Sequence, residues 1–160
     1  MNKKTWIVVA DASRACLYDA TDGEIRLARE IANPNGRARD QQLVTDRPGS
    51  LKKGKGRDVR SSFDPRTTPH EAETIRFARE LGRVLDEARE GAAFRWLAIF
   101  AAPHFLGLLL GKLSRPVSDA VIATVDKDYL RIPDHERHAV LTQALIEAAA
   151  GQRRSPRQHV

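Results

Sequence analysis

The chain has a single cysteine, Cys16, in 160 residues, so no disulfide can form within it and a reducing compartment suits it. It lacks a charged start followed by an apolar run and a small-residue cleavage site, which makes the cytoplasm the expected location. Its longest apolar stretch, residues 97–110, is broken by Pro103, His104 and Gly107. That falls short of the ~20 residues that cross a bilayer, so no membrane insertion is expected. No period of ~20–50 residues recurs, which argues against a repeat array. Also missing are a Walker-type phosphate loop, a Rossmann glycine fingerprint and a Gly-x-Ser-x-Gly elbow. Gly54-Lys55-Gly56 has neither the preceding strand nor the following helix of a nucleotide cradle. ATP and NAD therefore find no support, and no cofactor is assigned.

Positive charge is in excess, and it is local. The formal net charge is +6, of which +5 lies between Asn33 and Pro69. There Arg37, Arg39, Arg47, Lys52, Lys53, Lys55, Arg57, Arg60 and Arg66 face only Asp40, Asp46, Asp58 and Asp64. A basic tail at 152–160, expected to be flexible, adds Arg153, Arg154 and Arg157, so the remainder is slightly acidic. Pro34, Pro48 and Pro65, with Gly36, Gly49, Gly54 and Gly56, oppose regular structure in the basic segment, which has too few apolar residues to bury itself. Loops beyond ~15 residues in a compact domain are usually functional or disordered. The nine Lys/Arg are the candidate nucleic-acid-binding residues, because cations that neutralise phosphates release counterions and bind with a steep salt dependence. Phe63 alone offers a ring for base stacking, so sequence-specific reading of single strands is not indicated. A solvated or protein-binding loop is the alternative.

The flanks read as folded. Residues 5–10 form a short β-branched run suited to a central strand. Residues 14–19 are a second strand, and Thr21-Asp22-Gly23 a hairpin turn into a third at 24–31. Thr68 as N-cap, Pro69 at the first helical position and Glu71 completing a capping box predict a helix over 69–90. Its apolar stripe is Ala72, Ile75, Ala78, Leu81, Gly82, Leu85 and Ala88. A strand at 94–101, a short helix from Pro103 to about residue 113, and a strand at 117–125 with its ordered core at 120–125 follow. A last helix runs from Pro133, with Asp134 and Glu136 in its first turn, to Gly151. The fold class is thus α/β: one domain over 1–151, a mixed five-stranded sheet with antiparallel strands first, then α-β-α-β-α.

Catalytic constellations are sparse. Asp11 after the first strand and Asp126 and Asp128 after the fifth invite a two-metal nuclease reading. The first strand is expected at the centre and the fifth at an edge, and Asp11 can equally bond the turn at Ser13 and Arg14. His135 and His138 stand three apart on the last helix but lack a Cys partner at suitable spacing, and read as a surface face. His104 occupies a helix N-terminus suited to anions. Cys16 reads as a small buried hydrophobe, and Gly82 and Gly107 as helix-to-sheet packing. No catalytic residue or metal site is assigned, and the oligomeric state is open.

Several blocks taken together resemble one bacterial family. They are Trp6 to Asp11 with Ser13-Arg14-Ala15, Asn33-Pro34 with Gly36-Arg37 and Arg39-Asp40, and Asp46-Arg47-Pro48-Gly49. To these add His70 to Glu73 with Phe77 to Leu81, Ala102-Pro103 with Phe105 to Leu109, and Val125 to Asp128. In this order, over residues 5–141, they are similar to the host attachment family. That family in turn resembles the middle domain of eukaryotic and archaeal release factors and of Pelota, on a ribonuclease-H-like sheet. The second resemblance implies that the segment between the third strand and the first helix stands where release factors display Gly-Gly-Gln. Here the nearest sequence is Gly54-Lys55-Gly56-Arg57. A ribosome-, rRNA- or tRNA-associated binding factor is the function so implied, and an indirect role in attachment to host cells or a metal-dependent hydrolase are its rivals.

Overall fold

The computed structural model describes residues 4–34 and 68–154. The nine candidate nucleic-acid-binding residues and the tail beyond Arg154 lie outside them.

Five strands form one mixed sheet in the order β3-β2-β1-β4-β5. They are β1 (Thr5–Ala10), β2 (Arg14–Asp19), β3 (Arg26–Ala32), β4 (Trp96–Ala101) and β5 (Val121–Val125). β2 is antiparallel to both β1 and β3, while β4 is parallel to β1 and to β5. β1 and β4 are apolar on both faces because both faces are covered. On one face Val8, Leu17, Leu97 and Ile99 meet α1 (Pro69–Glu90), α2 (Pro103–Leu110) and α3 (Arg115–Ala120). On the other, Ile7, Val9, Tyr18 and Phe100 meet a 3-10 turn at Tyr129–Arg131 and α4 (Asp134–Arg154).

The β2–β3 turn keeps the expected Asp-Gly chemistry. Asp22 at φ 61° and Gly23 at φ 81° take the left-handed conformation in a short 3-10 turn, Thr21–Gly23, within the connection from Asp19 to Arg26. Asp19 steadies it by accepting from the Thr21 N–H at 2.9 Å.

Four expectations need correction. The buried face of α1 is Thr74, Phe77, Ala78, Leu81, Gly82 and Leu85, with Ala72 exposed. Phe77 packs against Phe105, the tilted rings 5.8 Å apart, so the buried stripe is centred on this ring rather than on Ala72. Residues 117–120 are not strand but the end of α3, which adds a fourth α-helix: Ser114 caps it by accepting from the Val117 N–H, and Pro116 stands in its first turn. Gly151 does not stop α4, which continues to Arg154. Gly107 is exposed with open space where a Cβ would sit, so it packs against nothing.

Gly82 does mark a close approach, to the loop after α2 rather than to the sheet. An added Cβ would lie 2.8 Å from the Lys112 carbonyl oxygen. Gly82→Ala is therefore expected to lower stability: overpacking costs about 1–3 kcal/mol, against about 1 kcal/mol gained from helix propensity. Gly107→Ala, in open space on α2, is expected to raise stability by about 0.5–1 kcal/mol. Urea unfolding of the two variants checks both signs.

Candidate functional site

The chain leaves β1 toward β2 and leaves β4 toward β5, in opposite directions along the sheet. Adjacent parallel strands whose connections diverge open a crevice at their carboxyl ends. Such a cleft of about 280 Å³ is present, formed by Asp11 to Ser13 after β1, His70, Glu71 and Thr74 on α1, and Ala102, His104 and Phe105 at the start of α2.

Its polar groups are mostly engaged within their own segments, and one pair joins two of them. Asp11 Oδ1 accepts from the Ser13 N–H at 2.8 Å, the Ser13 hydroxyl at 2.9 Å and the Arg14 N–H at 3.0 Å, which fixes the β1–β2 turn. His104 Nε2 meets the Glu71 carboxylate at 2.9 and 3.0 Å, joining the first turns of α2 and α1. The Thr74 hydroxyl donates to the His70 carbonyl at 3.0 Å, within α1.

The same end of the sheet roots both ends of the basic segment. Asn33, only 2% exposed, closes β3. Its N–H donates to the Ser13 carbonyl at 2.8 Å and its Nδ2 to the Ala12 carbonyl at 3.1 Å, while its Oδ1 accepts from Arg76 at 3.2 Å. Arg76 is itself braced on α1 by Glu73 and Glu80. At the other end, Thr68 caps α1 by accepting from the Glu71 N–H at 3.0 Å. The basic segment thus joins the described domain at one buried asparagine and at one helix cap. Asn33→Ala removes two buried side-chain hydrogen bonds and leaves the Ala12 carbonyl without its donor. A loss of about 1–3 kcal/mol in urea unfolding is expected.

The nuclease constellation is not assembled. Asp128 caps the 3-10 turn by accepting from the Leu130 N–H at 3.1 Å and pairs with Arg131 at 3.3 Å. β4 separates β1 from β5, a spacing of about 10 Å across two strand intervals. Among the described residues no three His, Cys, Asp or Glu side chains are grouped to hold a metal. His135 is exposed, and His138 packs edge-on against the Tyr18 ring at 5.5 Å. Burial pushes the Cys16 thiol up, Glu30 adds to this, and Arg14 and Arg137 only partly oppose it, so Cys16 is a protonated core side chain.

Asn33 and the Glu71–His104 pair escaped the sequence reading. The Asn-Pro pair after a strand was the available signal for the first. For the second no local signal existed, since 33 positions separate the partners. Among the described residues no helix is long and apolar enough to cross a membrane.

The profile of a family described as "Protein required for attachment to host cells" matches residues 6–141, which take in the five strands except Thr5 and the whole cleft. No curated protein matches the chain.

Proposed function

We propose a binding role for this chain, which belongs to the family of proteins required for attachment to host cells: it contacts ribosomal RNA or tRNA through the basic arm between Asn33 and Pro69. The observation that carries this reading is the combination of a +5 segment with two firm roots at one end of the sheet. Such an arm presents cations to a phosphate backbone from a rigid base, and phosphate contacts supply most of sequence-independent affinity.

The strand order β3-β2-β1-β4-β5, with β2 reversed, supports the ribonuclease-H-like and release-factor comparison. In that comparison the arm occupies the place of the Gly-Gly-Gln segment. Gly54-Lys55-Gly56-Arg57 stands there instead, so contact rather than peptidyl-tRNA hydrolysis is the proposed activity. The proposed location is the cytoplasm, with any effect on attachment exerted indirectly, through expression of surface components.

Cosedimentation with ribosomes tests the reading. The full chain is expected in the ribosomal pellet at low salt and in the supernatant at high salt. A variant lacking residues 44–62, with its melting temperature preserved, is expected in the supernatant throughout. A folded, loop-deleted protein that still pellets would contradict the proposal.

A further inference from the structure

Independently of the arm, we infer that the cleft at the carboxyl ends of β1 and β4 is a binding site for a small primary amine, held as its ammonium ion. At about 280 Å³ the cleft stands at the lower edge of the ~300–1,000 Å³ typical of small-ligand sites, and it lies where adjacent parallel strands send their chains apart. Ala12, Ala102 and Phe105 give it an apolar wall for the body of such a ligand.

The class of ligand follows from how the polar wall has spent its protons and its charge. The Ser13 hydroxyl gives its proton to Asp11 Oδ1, and the hydroxyl of Thr74, a residue only 4% exposed, gives its proton to the His70 carbonyl. Both hydroxyl oxygens keep only lone pairs. Asp11 Oδ1 already accepts from three donors, whereas Asp11 Oδ2 has no hydrogen bond or ion-pair partner among the described residues, and the neighbouring Arg14 is paired with Glu30 instead. Glu71 carries the cleft's other negative charge, but both its oxygens meet His104 Nε2, and it stands where the positive ends of the α1 and α2 dipoles offset it. The cleft is thus lined by three acceptors, Asp11 Oδ2, Ser13 Oγ and Thr74 Oγ1, and by one uncompensated negative charge. A primary ammonium matches this set, with one positive charge and three N–H donors on a single nitrogen. A guanidinium pairs best with both oxygens of one carboxylate, and here only one oxygen is free.

Calorimetric titration of the full chain with n-butylammonium, in buffer free of other amines, tests the site. One saturable site is expected, with n-butylguanidinium bound more weakly and butyrate not bound. Asp11→Asn keeps the Oδ1 acceptor that fixes the turn and replaces Oδ2 by an N–H donor. Its melting temperature is therefore expected to change little while affinity for n-butylammonium falls at least tenfold. Asp119→Asn, at a side chain 70% exposed on α3, is expected to leave affinity unchanged. Amide chemical-shift changes caused by n-butylammonium in the unaltered chain are expected to centre on residues 11–13 and 74, a readout that needs no variant to fold. Absence of binding would overturn the inference, as would affinity insensitive to Asp11→Asn or lowered equally by Asp119→Asn. So would butyrate or n-butylguanidinium binding as tightly as the ammonium, or shift changes centred elsewhere.

Discussion

Arg137→Ala is expected to destabilise the domain by about 3–5 kcal/mol, the cost typical of removing one partner from a buried charged network. Arg137 is 2% exposed at the sheet end of α4. Its Nη1 donates to the Tyr18 hydroxyl at 3.0 Å, its Nε to the Tyr129 carbonyl at 3.2 Å, and its Nη2 to the Leu130 and Ile132 carbonyls at 3.3 and 2.8 Å. Asp134 balances the charge at 2.8 Å from the helix's first turn. Burial pushes the Tyr18 phenol up more than the Arg137 bond pulls it down, so the hydroxyl stays neutral and accepts from the guanidinium. One side chain therefore ties the 3-10 turn, the sheet and α4 into a single unit. Truncation leaves three carbonyls and a phenol without this donor inside the second core. At about 2–4 °C per kcal/mol for a chain of this size, the melting temperature is expected to fall by roughly 10 °C. Asp134→Ala, whose side chain is 83% exposed, is expected to cost under about 1 kcal/mol. Thermal unfolding of both variants separates a buried anchor from a surface ion pair, and equal small losses would contradict the role assigned to Arg137.

The second large effect is on binding and leaves stability alone. Replacing Lys52, Lys53, Lys55, Arg57 and Arg60 with Gln is expected to weaken RNA affinity roughly a thousandfold at about 0.1 M salt. That follows if each cation meets one phosphate, since each such contact contributes about 0.7 log units there. The melting temperature is expected to stay within the small range of surface substitutions, because none of the five is a root of the arm. A filter-binding titration with unstructured RNA measures the loss. A change of less than about tenfold would show that the arm's charge is not what binds.

Local chemistry explains which elements the sequence revealed. β1, β2 and α1 begin and end as their residues indicate, because β-branched runs, an Asp-Gly turn and a Thr-Pro cap act over a few positions. α3 was hidden because Val117 to Ala120 run without a break into the apolar β5, and only the Ser114 cap and Pro116 mark them as a separate helix. Arg137 was not legible at all. A cation between Glu136 and His138 reads as solvated surface, and its burial depends on Tyr18, 119 positions away. The candidate site divides in the same way: the charge of the arm is visible in the sequence, whereas its rooting through Asn33 to Ala12, Ser13 and Arg76 exists only once three elements meet.

The salt dependence of RNA affinity, measured for the full chain and for the variant lacking residues 44–62, tests the arm most directly. For the full chain, log affinity is expected to fall against log salt with a slope of about −3.5 or steeper, the value for five or more phosphate contacts on single-stranded RNA. For the deletion variant, a shallow slope and weak binding are expected. Equal slopes for the two proteins, or a flat slope for the full chain, would contradict a phosphate-contacting arm.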